Sequence, residues 1–128
     1  MADTEKITIN LSAVDLGRID LLADEGFYSN RTDFIRTAIR KELDAHRDVI
    51  EKSVTRTASA LGLVVYTRRS LEECLQKGEK LAINVVGGVH LSRDIPPDLA
   101  LNTIQSVKVY GVLRASQAVK EALADRMR

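Results

Sequence analysis

The sequence predicts an α+β protein, in which one strand and two helices precede a small α+β or β-rich domain. Two observations lead to this fold class. Polar and apolar residues first alternate and then recur at helical spacing between residues 6 and 45. From residue 60 onward, short apolar runs alternate with glycines and polar turns. We place the two domains at residues 1–50 and 60–128.

The first element is a short strand at residues 6–11, where the side chains alternate with a period of two. Its apolar face holds Ile7, Ile9 and Leu11. Its polar face holds Lys6, Thr8 and Asn10. The residues that follow show helical spacing and offer no hairpin partner, so this strand has nothing to pair with in its own neighbourhood.

Two helices follow, and each begins with a capping signal. Ser12 followed by Asp15 predicts the start of the first helix, and Gly26 predicts its end. Asn30 followed by Asp33 predicts the start of the second helix. Because no glycine or proline occurs between Phe27 and Leu61, we expect this second helix to continue toward Ile50 or Val54.

A strand and two helices within about 46 residues bury too little surface to fold alone. The simplest solution is a second copy of the chain, with the two strands paired antiparallel across a two-fold axis. The sequence therefore predicts an obligate homodimer, and this inference depends only on the unpaired strand.

The second half predicts further strands and capped helices. We expect a buried strand over residues 61–67 and a helix that begins at Ser70 and ends near Gly78. A strand at residues 80–86 leads into Gly87-Gly88, which predicts a tight turn to Val89 and Leu91.

A loop at residues 94–98, a strand at residues 104–113 and a helix capped by Ser116 complete this half. Residues 86–92 and 109–116 are loosely alike, as in a short β-solenoid, although no internal repeat stands out. We expect this half to fold by itself and, because its edge strands need cover, to drive assembly beyond the dimer.

Composition excludes several classes of protein. The longest apolar run, about six residues, is far too short for a membrane span. The single cysteine, Cys74, and the lack of a secretory signal fit a reducing cytoplasm. Cys74, His46 and His90 are scattered without metal-ligand spacing, so we expect no metal and no cofactor. Serine, histidine and aspartate occur at no catalytic spacing, and we do not expect an enzyme.

Residues 5–46 resemble the ribbon–helix–helix family of bacterial DNA-binding regulators. The resemblance rests on Lys-Ile-Thr-Ile-Asn-Leu at 6–11, on Gly26 to Arg36, and on Ala38-Ile39-Arg40. It is nearest to the N-terminal domain of nickel-responsive regulators. The cluster of histidines and a cysteine that binds nickel in those relatives is missing here, so nickel sensing is not expected.

The resemblance implies that two paired strands enter the DNA major groove, where their polar face reads base edges. The residues in those positions are Lys6, Thr8 and Asn10. Lysine can donate to guanine, asparagine can bond two groups of adenine, and threonine offers a hydroxyl and a methyl group. The alternative is an ordinary strand whose polar side faces solvent.

The resemblance also implies a phosphate clamp at the start of the second helix, formed by Asn30, Arg31 and Thr32. The alternative is that Asn30 only caps the helix and that Arg31 is an exposed charge without a role. Arg36 and Arg40 are not expected to read bases, since an i,i+4 pair such as Arg40 with Asp44 would only stabilise the helix surface.

Three functions are consistent with these features. The first is a dimeric, sequence-specific regulator of transcription that binds double-stranded DNA and acts as a repressor. The second is an antitoxin, whose C-terminal half would bind a toxin partner. The third is a dimeric interaction protein that no longer binds DNA, which would fit the net charge of residues 1–50: 7 Lys and Arg against 10 Asp and Glu, or −3.

Overall fold

The computed structural model describes residues 4–57 and 60–128, which form two compact units. The N-terminal unit is Lys6–Glu51. The C-terminal unit contains Lys52–Arg128 together with residues 4 and 5. Helices and strands are both present in the described chain, so the predicted mixture of α and β structure is confirmed.

The N-terminal unit is built on helices α1 (Ala13–Asp24) and α2 (Arg31–Ala45), and helix α3 (Arg47–Thr57) begins within it. Both predicted caps are confirmed. The Ser12 hydroxyl accepts the Asp15 N–H at 3.1 Å, and the Asn30 side chain accepts the Asp33 N–H at 2.8 Å. These bonds satisfy backbone donors that would otherwise lack acceptors in the first helical turn.

Two features of this unit differ from the sequence prediction. Residues 6–11 have no regular secondary structure, because a strand exists only when a second strand accepts its hydrogen bonds and no described segment does so. The second helix ends at Ala45 instead of continuing, because the backbone leaves helical geometry at His46 (ψ 13°). His46 caps the end of α2, with its Nδ1 atom 3.0 Å from the carbonyl oxygen of Glu42.

The C-terminal unit is a three-stranded sheet in which every strand is parallel to its neighbour, in the order β1-β2-β3. Its elements, in chain order, are β1 (Ala60–Tyr66), α4 (Arg68–Gln76), β2 (Leu81–Leu91), α5 (Pro97–Thr103), β3 (Ile104–Arg114), α6 (Gln117–Ala122) and a 3-10 turn (Ala124–Arg126). A helix connects each strand to the next, as parallel pairing requires.

The helices share one core with a single face of this sheet. On the sheet side this core contains Ile83, Val85, Val89 and Leu91 of β2 and Ile104 and Val107 of β3. On the helix side it contains Leu71, Leu99, Ala100, Val119 and Leu123. The buried Thr103 satisfies its hydroxyl by donating to the Leu99 carbonyl at 2.7 Å.

Strand β1 was predicted to be buried, but only one of its faces is covered. Leu61, Leu63 and Val65 point to the other face and are exposed. The start of α4 was also misassigned. Thr67, not Ser70, is the N-cap, and Ser70 occupies the third helical position, where its hydroxyl accepts the Thr67 N–H at 2.8 Å.

The tight turn predicted at Gly87-Gly88 is wrong, because β2 continues through this pair and is parallel to both neighbours. Gly62, Gly87 and Gly111 lie side by side across the three strands, all with φ near +130°. A Cβ atom on Gly87 would overlap the carbonyl oxygen of Gly62. The glycines therefore allow this backbone conformation in all three strands and leave room for the close contact between neighbouring backbones.

This row marks a structural repeat. The three glycines are spaced 25 and 24 residues apart. Near the end of each strand, after its glycine, lies a residue with a side-chain hydroxyl. Those residues are Thr67, Ser92 and Ser116. Thr67 and Ser116 cap the helices that follow, whereas the Ser92 hydroxyl donates to the Tyr66 carbonyl. The likeness between residues 86–92 and 109–116 thus reflects neighbouring parallel strands.

The closing elements agree with expectation in two of three cases. Strand β3 and the cap at Ser116 are as predicted. The loop predicted at residues 94–98 is shorter, since α5 already begins at Pro97. Proline fits this first helical position because no intrahelical acceptor is available there for an N–H group.

Candidate nucleic-acid interface

The segment at residues 6–11, which has no regular secondary structure, is exposed along its whole length. Lys6, Thr8 and Asn10 are solvent-accessible, as base-reading residues must be. Ile7 and Ile9 are also exposed, at 74% and 56%. Such exposure of β-branched apolar side chains is costly in water, so this segment requires a second surface.

An apolar groove of about 520 Å³ lies between α1 and α2. Ile9 and Leu11 line one side of it, opposite Ile19, Phe34 and Ile35. Lys6, Thr8 and Asn10 do not line this groove and are exposed to solvent. Two of the three apolar residues of the segment thus face the helices, whereas its polar residues do not.

The N-terminal unit has almost no core of its own. Among its described residues, Ile19 is the only buried apolar side chain, at 6% exposure. Large apolar side chains are left exposed at residues 6–11, on all three helices and in the loop between α1 and α2, namely Ile7, Ile9, Leu11, Val14, Leu21, Phe27, Ile39, Leu43 and Val49. A unit of this size with so little burial depends on a partner surface for its stability.

The start of α2 has the geometry of an anion site. Asn30 caps the helix, while the Asp33 carboxylate accepts the Ser29 N–H at 2.9 Å. The backbone N–H groups of Arg31 and Thr32 follow, and in the first turn of a helix such groups have no intrahelical acceptor. Together with the helix dipole, they favour a phosphate oxygen at this position.

Arg31 is held by a carboxylate that the sequence did not suggest. Its Nε and Nη2 atoms donate to the two carboxylate oxygens of Asp20 at 2.8 and 2.9 Å. Asp20 lies on α1, so this bidentate pair connects the two helices, and both side chains remain about half exposed. The hydrogen bonds from Arg31 lower the pKa of Asp20 and raise the pKa of the guanidinium.

This pair predicts a measurable titration. Because Arg31 lowers the pKa of Asp20, the pair stabilises the folded protein above pH 3.8 and the stabilisation is lost as the pH falls through the lower, folded-state pKa. In a carboxyl-detected NMR titration, we expect Asp20 to titrate below 3.8 in the wild type and closer to 3.8 in Arg31→Ala. An Asp20 titration that is the same in the wild type and in Arg31→Ala would contradict the pairing.

The structure gathers the predicted site residues into two groups. Lys6, Thr8 and Asn10 lie on the exposed segment before α1, and Asn30, Arg31 and Thr32 form the start of α2. In the described part of the chain, no hydrogen bond or ion pair joins one group to the other.

The loop before α2 and the end of that helix have their own contacts. The Tyr28 and Phe34 rings pack edge to face, with centroids 5.0 Å apart, and fix the approach to the helix. At the other end of the helix, the sequence suggested that Asp44 would pair with Arg40. Asp44 instead pairs with Arg47, at a distance of 2.9 Å. Arg40 therefore gains no structural role from this pair.

Within residues 4–57 and 60–128, no group of histidine, cysteine and acidic side chains could hold a metal ion. No helix in the same ranges is long and apolar enough to span a bilayer.

Comparison with known proteins gives one match. The family model of the Ribbon-Helix-Helix transcriptional regulator family matches residues 2–120. Neither a curated protein nor a solved structure matches the chain. The match extends well beyond the segment that carries the DNA-binding resemblance, through β3 and into α6, so it includes the parallel-sheet unit as well. The chain belongs to the ribbon–helix–helix transcriptional regulator family.

Proposed function

We propose that the protein is a sequence-specific repressor that binds double-stranded DNA as a homodimer. Two copies pair residues 6–11 as an antiparallel ribbon, and the ribbon enters the major groove. In this account the protein acts by occupying its operator in the cytoplasm, without catalysis. Family membership supports regulation and DNA binding.

One observation carries the proposal for the ribbon. The segment at residues 6–11 is exposed and pairs with no strand of the described chain, while its Ile9 and Leu11 side chains already line the groove between the helices. A second copy would supply the missing backbone partners and cover the exposed apolar residues of both chains. The same pairing would place Lys6, Thr8 and Asn10 of both chains on one polar surface.

A two-stranded ribbon fits the B-DNA major groove, where each base pair presents a distinct pattern of donors and acceptors. Lys6 offers a donor for guanine, Asn10 can bond adenine at two positions, and Thr8 can contact either a base or the thymine methyl group. A two-fold dimer carries these residues twice, so the operator should be a palindrome.

Backbone contacts at the start of α2 complete the proposed interface. The N–H groups of Arg31 and Thr32 would bind a phosphate oxygen and fix the dimer on the duplex. The Arg31 guanidinium donates two hydrogen bonds to Asp20, but the Arg31 side chain is still 54% exposed. A phosphate can therefore bind the guanidinium beside the Asp20 carboxylate or in its place.

The two alternatives make different demands on the molecule. An antitoxin tail that folds only on its toxin would lack a core, whereas the parallel-sheet unit buries a continuous one. A dimer that no longer binds DNA is favoured by the −3 charge of residues 1–50. Such a protein would show no salt-dependent binding to duplex DNA, which separates it from the repressor.

The experiment that tests the proposed function is the selection of bound duplexes from random DNA by the full chain at near-physiological salt. We expect an enriched palindrome whose half-sites are related by the two-fold axis of the dimer. Recovery of unrelated sequences, or of none, would contradict sequence-specific DNA binding and favour the interaction protein.

Asn10→Ala is expected to relax sequence discrimination without abolishing binding. It removes one bidentate base contact per half-site, so we expect a loss of ~1–3 kcal/mol of discrimination at one base position. The measurement is a binding titration with the selected duplex and its single-base variants. Asn102→Ala, which alters an exposed asparagine of the C-terminal unit, is the matched control. An equal loss on selected and random DNA would exclude direct readout by Asn10.

Arg31→Ala is expected to weaken binding to all duplexes alike. Loss of a phosphate contact should lower the slope of log affinity against log salt by about one unit per contact, hence by about two per dimer. Arg47→Ala is a close control, since Arg47 also begins a helix and also pairs with an aspartate. If the salt dependence of binding is unchanged in Arg31→Ala as well as in the control Arg47→Ala, the Arg31 side chain does not contact phosphate.

A further inference from the structure

A second cavity lies in the C-terminal unit, at the carboxyl ends of β2 and β3. Its volume is about 530 Å³, within the range of ~300–1,000 Å³ typical of small-molecule sites. In open parallel sheets, this edge is where ligands usually bind, because the loops that leave the strands surround it. None of the residues of the proposed DNA interface lines this cavity.

Three of the residues that line the cavity are cations. Arg93 follows β2, Arg114 ends β3 and Lys120 lies on α6. Among the described residues of the lining, Glu5 is the only acidic one. Arg93 and Lys120 have no ion-pair partner among residues 4–57 and 60–128. The positive charge of the cavity therefore exceeds what Glu5 can neutralise.

Glu5 shows which kind of group the cavity accepts. Its carboxylate lies 2.9 Å from Nη2 of Arg114, and the same nitrogen donates to the Thr4 carbonyl at 3.3 Å. Both side chains of this ion pair are nearly half exposed, so water can reach it and a competing carboxylate can replace Glu5. Glu5 thus occupies the position that an anionic ligand would take.

Besides the polar His90 and Ser92, the lining includes the apolar side chains of Val65, Val112 and Leu113. A single inorganic ion would leave these side chains in water, whereas the methylene chain of an organic acid would cover them. The cationic side chains of the cavity could bind a carboxylate at each end of such a methylene chain.

We propose that this cavity binds a small aliphatic dicarboxylate, one carboxylate of which replaces Glu5 on Arg114 while the other is held by Arg93 or Lys120. Glu5 directly precedes Lys6, the first residue of the proposed ribbon. Release of Glu5 would therefore change the restraint on the start of the ribbon, a consequence that rests on the proposed function.

Isothermal titration calorimetry of the full chain with glutarate, without DNA, tests the site. We expect saturable binding of glutarate and none of its neutral diamide, glutaramide. Glu5→Gln removes the competing carboxylate and should tighten binding by at least about threefold. Arg114→Gln should weaken it by about tenfold or more, the loss typical of a charge-assisted hydrogen bond. Arg69→Gln, which alters an exposed arginine of α4 outside the cavity lining, should leave the affinity unchanged.

Circular dichroism of each variant checks that the fold is intact, and Arg93→Gln offers a second route should Arg114→Gln unfold. The proposal is overturned if glutarate fails to bind at about 10 mM, if inorganic phosphate binds as tightly, or if Glu5→Gln has the wild-type affinity. The link to DNA is measured separately, from the affinity for the selected duplex with and without saturating glutarate. An unchanged DNA affinity would refute that link and leave the site intact, so the two failures can be told apart.

Discussion

Ile9→Pro is expected to abolish the dimer and to unfold the N-terminal unit. Proline removes a backbone donor from the ribbon and also the side chain that Ile9 places in the groove between the helices. Each unmade backbone bond costs ~1–3 kcal/mol, and a two-fold dimer loses the bond twice. With only Ile19 buried in this unit, no other contacts are available to offset a loss of this size.

The measurement for Ile9→Pro is sedimentation equilibrium of the full chain, together with circular dichroism for the loss of helix. Ile9→Val is the matched control, because it keeps the backbone donor and the β-branched shape and should remain dimeric. If Ile9→Pro stays folded with the wild-type mass, the ribbon does not hold the two chains together.

Gly111→Ala is expected to destabilise the C-terminal unit by about 3–5 kcal/mol. Its φ of +130° is unfavourable for any residue with a Cβ atom, and the added methyl group would overlap the Gly87 carbonyl oxygen. Because the overlapping atom belongs to the backbone of the central strand, it cannot move without disturbing the pairing on both sides.

Chemical denaturation followed by circular dichroism measures this loss. Gly17→Ala is the control, since Gly17 lies within α1 and a Cβ atom there has no neighbouring atom of the described chain within 4 Å. It should be neutral or stabilising by up to ~1 kcal/mol, because alanine favours helix. A comparable, small effect of both substitutions would show that the row of glycines is not under steric constraint.

The features that could be predicted from the sequence are those fixed by neighbouring residues. The caps at Ser12, Asn30 and Ser116 each depend on a hydroxyl or amide group and a backbone N–H three residues later. The alternation at residues 6–11 likewise identifies which side chains share a face. The family model supports the resemblance on which the DNA-binding prediction was built.

What could not be predicted depends on distant partners. Gly87-Gly88 resembles a hairpin turn locally, and only the glycines of the adjacent strands, about 25 residues away, show that the pair belongs inside a parallel strand. Asp20 is 11 residues from Arg31, a distance at which no helical spacing suggests contact. A single copy of the chain cannot form a strand at residues 6–11 under the proposed pairing, because the hydrogen-bond partners of that strand would belong to a second copy.

The most direct test of the proposed ribbon is methylation interference on the selected duplex. Dimethyl sulfate modifies guanine at N7 in the major groove and adenine at N3 in the minor groove, so one experiment reports on both grooves. We expect methylation of N7 to block binding at two symmetric clusters, one in each half-site, and methylation of N3 to have no effect. Interference from adenine N3, or from a single asymmetric cluster, would contradict a dimeric ribbon in the major groove.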